Sequence, residues 1–461
     1  MNFKYFKNES LYSDLNYQKA YNDLSEIIKC KTISYINQDE MDINEFKKLH
    51  NILNKNFPLV FKNSKVEIIN EASILYYIEG SDKTLDPILL MAHIDVVPDN
   101  KEDDNKWDFD AFSGEITEEY IYGRGSEDIK CLVILYLTAI EYLLSHNKKF
   151  KRGIYLAFGH DEETLGGKGQ LQIKNLLQSR NVKLEMVLDE GGGIESGSTY
   201  KTNNPLAVIN VMEKGYLDVK IKATKQGGHS SNPGKYTSLG LVSKAIYQLE
   251  ENQFKPYLNT VFKESLTILK DDINCDILKK YASNITKYEK ELIEYCLNDK
   301  YLAPFVYTTT APTMIEGGSM GANVLPKTVE AVINFRLLDC DNVDYVMDHI
   351  RKTITDENIV INKLNSIDAS KISNINSYSY EVLKNTINKF FDNIKVIPGM
   401  VCGGTDCRFY NDISDNCYRF SPIFNDFNKC NNVHNVNERC QKRAFIHGVK
   451  FIISLVENMC L

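Results

Sequence analysis

Residues 87–95 read Pro87-Ile88-Leu89-Leu90-Met91-Ala92-His93-Ile94-Asp95. A continuous apolar run that ends on a histidine and an aspartate is the sequence of a strand buried on both faces. Its polar tip is presented at the edge of an α/β sheet, where such scaffolds carry chemistry. Two residues apart on an extended segment, His93 and Asp95 point to the same side. The natural division of labour puts His93 on a metal and lets Asp95 accept its other ring proton. Taken alone, the pair is better read as a satisfied core histidine at a strand end.

The pattern recurs on either side. Gly153-Ile154-Tyr155-Leu156-Ala157-Phe158 is a second buried run and leads into Asp161-Glu162-Glu163; Met186-Val187-Leu188 is a third and leads into Asp189-Glu190-Gly191. Between the first two lies Gly123-Arg124-Gly125-Ser126-Glu127-Asp128-Ile129-Lys130, followed by an apolar, helix-like stretch at 130–146. His434 sits in a polar loop far along the chain. Each has an ordinary reading. Asp128 or Ser126 caps a helix, Asp161 is structural, Asp189 is a turn acid, and His434 is a surface histidine. Lys130 pairs with a carboxylate or is solvated. Adjacent acids after a buried strand are more telling: one of Glu162 and Glu163 binds metal while the other takes a proton from an activated water. Gly166-Gly167 then give room for substrate. Five such segments in order supply the ligands of a two-metal site, with Asp128 as the shared carboxylate. Histidine and carboxylate donors together suit zinc or a similar divalent ion.

At 461 residues the chain exceeds one ordinary core, so two domains are expected. Strand, acidic tip, helix, strand, acidic tip predicts a sheet wound with helices on both faces. Near Glu213 the texture changes. Leu217-Asp218-Val219-Lys220-Ile221-Lys222-Ala223 alternates as a half-exposed antiparallel strand does, and so do residues 329–336. The expected division is a catalytic domain over 1–210 and 365–461, with an inserted α+β domain over 211–364. A C-terminal helix is expected over 438–459. A net charge of -8 leaves no basic footprint for nucleic acid and argues against an anionic membrane. The first residues carry no apolar core of a signal peptide. Eleven cysteines, an odd number in apolar contexts, read as free thiols in a reducing cytoplasm. Cys402 and Cys407 flank a tight turn and read as small buried thiols.

With these motifs in hand, the chain resembles the M20 family of zinc-dependent peptidases and aminoacylases, closest to its carboxypeptidase S and N-fatty-acyl-amino-acid hydrolase branch. The likeness is carried by residues 91–98, by Tyr122-Gly123-Arg124-Gly125 with Asp128 and Lys130, and by Asp161-Glu162-Glu163 with Gly166-Gly167. It continues through Leu188-Asp189-Glu190-Gly191-Gly192, Gly228-His229-Ser230-Ser231-x-Pro233, Asn323-Val324-Leu325-Pro326 and Gly404-Thr405-Asp406. One departure is Cys131, where many relatives carry glycine.

The resemblance implies an α/β fold: a mixed-sheet di-zinc exopeptidase catalytic domain with an inserted lid and dimerisation domain. It implies His93, Asp128 and Asp189 on one metal, and Asp128, Glu163 and His434 on the other. Glu162 would be the general base and Asp95 would orient His93. His229 of the lid would stabilise the oxyanion, and Asn323 and Arg336 would help bind the substrate's polar groups or carboxylate. The expected reaction is metal-dependent hydrolysis of an amide or peptide bond next to a free carboxylate. Two divalent ions, zinc or else cobalt or manganese, are expected, in a homodimer with no nucleic-acid or membrane partner. Two rival readings are a biosynthetic N-acetyl or N-succinyl amino acid deacylase and a non-catalytic, metal-stabilised binding protein.

Overall fold

The computed structural model describes residues 2–99, 106–164, 166–425, 430 and 432–461. The buried apolar runs form the centre of a nine-stranded sheet. From edge to edge it runs Ser64–Ile69, Ser73–Ile78, Ile154–Gly159, Ile88–His93, Met186–Asp189, Cys417–Arg419, Leu206–Glu213 and Lys395–Val401. Gly193–Glu195 pairs with Leu206–Glu213 off this path. Four neighbouring strands, from Ile154–Gly159 through Cys417–Arg419, are mutually parallel, as are Leu206–Glu213 and Lys395–Val401, while the Ser64–Ile69 edge hairpin and the pairing of Cys417–Arg419 with Leu206–Glu213 are antiparallel, so the sheet is mixed. The parallel register sets His93 beside Gly159 and Leu90 beside Leu188. The polar tips after His93, Gly159 and Asp189 therefore come out along one sheet edge, where open α/β sheets bind ligands.

Alternation divides the central strands between two cores. Ile88, Leu90, Ala92, Leu156, Phe158 and Leu188 face the helices Tyr17–Ile28, Lys130–Ser145 and Lys442–Cys460. Leu89, Met91, Tyr155, Ala157 and Val187 face the helix Gln170–Ser179 and the turn that carries Cys407. Helices on both faces explain why these strands read as continuous apolar runs rather than alternating ones. The last helix begins at Lys442, not at 438. Arg439–Gln441 is instead a short strand paired with Tyr120–Tyr122 beside the Gly123 loop.

The second sheet is four-stranded and antiparallel, in the order Thr309–Gly317, Thr328–Leu337, Gly215–Thr224, Ile359–Ile367. Its alternation is that of a sheet covered on one face. Leu217, Val219, Ile221, Val329, Ala331, Ile333 and Phe335 pack under the helices Ser238–Glu251 and Val343–Thr353. Asn334 and Arg336 lie on the other face. The junctions differ from 211 and 364. The strand Leu206–Glu213 stays in the large sheet, and Ile359–Ile367 runs three residues past 364. The helices Thr260–Leu269, Asp276–Ser283 and Glu289–Leu297, counted with the insert from sequence, pack in a cluster with Leu206, Val208 and Ile397 of the large sheet. Among the described residues no helix is long and apolar enough to cross a membrane.

Candidate metal centre

Two groups of metal-capable side chains meet at the sheet edge: His93 with Asp128 and Glu190, and Asp128 with Glu163 and His434. Asp128 belongs to both. Its Oδ1 lies 3.0 Å from His93 Nε2, and its Oδ2 lies 3.1 Å from His434 Nε2. One carboxylate thus faces two imidazoles with different oxygens, the arrangement that a bridging ligand needs. His93 Nε2 is 3.3 Å from Glu190 Oε1, and His434 Nε2 is 3.0 Å from Glu163 Oε2. Bonds of 2.0–2.1 Å to a tetrahedral zinc place its ligand atoms about 3.3 Å apart, close to these four separations, and the donor atoms of each triad all lie within 4.8 Å of one another.

The electrostatics ask for positive charge at the same points. Against the opposing effect of burial, hydrogen bonds with Asp128, Asp95 and Glu190 lift His93 well above its ordinary range. Asp128 and Glu163 lift His434 to about 10. Burial and the Asp128 charge push Glu190 up to about 7. A cation bound there would compete with protons for the same nitrogens.

Glu190 corrects the expectation for Asp189. Asp189 is the last residue of its strand, and alternation points it with Val187 toward the Cys407 side. There its Oδ2 accepts the Cys407 N–H at 3.0 Å. Glu190, one residue beyond the strand, reaches His93 instead. Of the adjacent acid pair the structure thus places Glu190, not the expected Asp189, beside His93. The expected consequence is measurable by chelator competition. Glu190→Gln is expected to lower the affinity of one ion by more than ~100-fold, whereas Asp189→Asn, acting at one remove, costs about 10- to 100-fold. The opposite ranking would return Asp189 to the ligand set.

The supporting contacts show how the segments are locked together. The Asp95 carboxylate is fully buried and lies 3.5 Å from His93 Nδ1. That ring nitrogen is closer to the Asp95 carbonyl, at 3.0 Å. The carboxylate also accepts the Ser34 hydroxyl at 2.7 Å and the N–H groups of Glu162 at 3.3 Å and Glu163 at 3.2 Å. Asp95 therefore places the Glu162–Glu163 turn as well as the imidazole.

Asp128 does not cap the following helix, whose first turn has no side-chain cap. Glu438, a residue missed from sequence, accepts the N–H groups of Glu127 at 2.9 Å and Asp128 at 3.1 Å through one oxygen. Its other oxygen binds Arg124 at 2.8 Å. Lys130 is not solvated, and among the described residues it has no salt bridge. It is fully buried and donates to the carbonyls of Ile27 at 3.1 Å and Cys30 at 2.7 Å, at the C-terminal end of the helix Tyr17–Ile28, where a cation is favoured.

Glu162 is half-buried beside this cluster. Burial, with Glu190 and Glu163 adding to it against His93, raises its carboxyl well above the usual range. Among the described residues no donor engages that carboxylate, whereas Glu163 is held by His434. The lid residues lie elsewhere. His229 is exposed on a two-stranded ribbon, Gly228–His229 against Val324–Leu325, with its Nδ1 2.8 Å from the Ser231 hydroxyl. Asn323 is exposed next to it, and its carbonyl accepts the Ser230 N–H at 2.9 Å. None of the contacts that His229 and Asn323 make reaches either metal triad. Arg336 is half-buried, its guanidinium 4.6 Å from the Tyr216 ring and its Nε 3.1 Å from Asn334 Oδ1.

A mixed α/β sheet with a bridged carboxylate–histidine site at its edge defines a metal-dependent hydrolase of amide and peptide bonds, and the chain belongs to peptidase family M20/M25/M40, whose model matches residues 89–458. Its relatives include the N-fatty-acyl-amino acid synthase/hydrolase PM20D1 of Xenopus tropicalis, 34% identical over 99% of this chain and 89% of that protein. Carboxypeptidase S of Saccharomyces cerevisiae is 32% identical over 90% of this chain and 78% of its own length. An M20 family metallo-carboxypeptidase from Sulfolobus solfataricus shares the fold with a TM-score of 0.70, at 18% identity over 98% of this chain and 99% of that one.

Proposed function

We propose that the chain hydrolyses the amide bond of an N-acyl amino acid or small peptide that carries a free carboxylate, using two divalent ions, zinc first among those its donors accept. The observation that supports this most is Asp128 facing two histidines while Glu162, next to the ligand Glu163, stays unengaged. Ions held by His93, Asp128 and Glu190 and by Asp128, Glu163 and His434 would acidify a water and polarise the scissile carbonyl. Glu162 accepts the proton of the attacking water and returns it to the leaving nitrogen. His229, brought in by lid movement, donates to the carbonyl oxygen as negative charge develops there. Arg336 offers a planar fork to the substrate carboxylate. Tyr216 and Asn334 already hold that fork in place.

Purified protein, stripped with a chelator and reloaded with zinc, cobalt or manganese, would be assayed on paired dipeptides and N-acyl amino acids. Metal-restored cleavage of free-carboxylate amides is the expected result. No turnover with two ions bound would refute it. In the same assay Arg336→Ala is expected to raise KM by about 10- to 100-fold for free-carboxylate substrates and to leave their amidated analogues unaffected. Equal losses on both would remove Arg336 from carboxylate recognition.

The proposal includes a homodimer through the lid in a reducing cytoplasm. Exposed Met314 and Ile315 on one edge strand of the lid sheet, and Val360 and Leu364 on the other, support the first part. Eleven free thiols support the second.

A further inference from the structure

Gly404-Thr405-Asp406 is the one motif of this chain that the site as described leaves without a task. Its turn is held with unusual thoroughness. Thr405 donates its N–H to Glu213 Oε2 at 2.7 Å and its hydroxyl to Oε1 at 2.8 Å. Glu213 is itself buried against Arg419 at 2.5 Å. Asp189 holds the next N–H, that of Cys407. This clamp fixes where Asp406 points. Its carboxyl lies against Gly159, which ends the strand leading to Glu162, and against Gly166, just beyond the Glu162–Glu163 turn. A β-carbon on Gly166 would collide with Asp406 Oδ1, and one on Gly159 would come within 3.4 Å of Oδ2. Gly166, expected to make room for substrate, makes room for Asp406.

Asp406 is 2% exposed, and among the described residues neither of its oxygens has a hydrogen-bond partner. The titratable groups around it are Asp95, Asp161, Glu162 and Asp189, with Arg408 as the opposing charge. An ionised carboxylate sealed from water without a donor costs far more than a neutral acid in the same place. Burial accordingly pushes the Asp406 carboxyl well above the usual carboxylate range, with Arg408 opposing and the neighbouring acids adding to it.

We propose that Asp406 is a positioning residue for Glu162: an uncharged carboxylic acid wedged between Gly159 and Gly166 that sets the height of the Glu162–Glu163 turn without adding negative charge beside the base. The turn is held from above by Asp95, which takes both its N–H groups, and from its own start by the Asp161 carbonyl, which accepts the Gly166 N–H at 2.7 Å. Asp406 supplies the third side. The inference rests on the reading of Glu162 as general base.

The test uses zinc-loaded full-length protein. Asp406→Ala is expected to lower kcat by about a hundredfold with KM little changed, because a displacement of ~1 Å at a catalytic group costs that much. Asp406→Asn, uncharged and of the same shape, is expected to recover all but a few-fold of that loss. Infrared difference spectra between wild type and Asp406→Asn at neutral pH, with 13C-labelled aspartate, should show loss of a carboxylic-acid carbonyl band. Asn as damaging as Ala, an Ala variant with wild-type kcat, or loss of a carboxylate band instead would each overturn the proposal. Should Asp406→Ala not fold, the Asn variant and the spectrum decide. The spectrum also reads Asp406 when no substrate is turned over, which separates this proposal's failure from that of the hydrolase reading.

Discussion

Replacing Glu162 with glutamine is expected to leave metal stoichiometry unchanged and to lower kcat by about three orders of magnitude, within the range for loss of a general acid–base group. The proposed mechanism separates the roles of the two neighbours in Glu162-Glu163. His434 holds Glu163, and no described donor holds Glu162. A glutamine has the same reach but no basic oxygen, so the ions and the fold are spared while the proton has nowhere to go. KM is expected to change little, because the lost interaction exists only on the way to the transition state. Metal analysis alongside steady-state kinetics checks both halves. A glutamine variant with more than a tenth of wild-type kcat would assign the proton transfer to another group.

The second large effect is expected at Asp128. Its two oxygens meet two different histidines, so Asp128→Ala removes a ligand from both ions at once. Both sites are expected to empty at metal concentrations that saturate the wild type, with turnover at least ~10³-fold down and not restored by excess zinc. His434→Ala, at the half-exposed end of the site, is expected to release one ion only. Should Asp128→Ala retain one ion at wild-type affinity, the triads are independent and the bridge is not functional.

Much of this arrangement was legible in the chain. Ile88–His93, Ile154–Gly159 and Met186–Asp189 were recognisable because strands covered on both faces must be apolar throughout. Their tips were recognisable because acids and a histidine have no packing reason to follow such runs. His93, Asp128, Glu163 and His434 come together as that reading expected. What escaped it depends on register and on distant partners. Asp189 and Glu190 differ by one residue, and which of them faces the metal is set by where the strand ends against Cys417–Arg419. Glu438 reads as the start of a helix until Tyr120–Tyr122 draws its neighbours into a ribbon. The helices of 260–297 follow the lid strand in sequence, yet Leu206, Val208 and Ile397 capture them for the large sheet. Lys130 looked like a charge in need of an acid, and a helix terminus served it instead.

The strand Cys417–Arg419 lies between Met186–Asp189 and Leu206–Glu213, although more than two hundred residues separate it from either in the chain. During synthesis the sheet is therefore open in its middle until almost the whole chain has left the ribosome. Both flanking strands meanwhile present unpaired backbone edges. A nascent or truncated chain that stops short of this segment exposes two sticky, apolar borders. The cell's holding chaperones would meet the protein in that unfinished state, before His434 has reached Asp128 and Glu163.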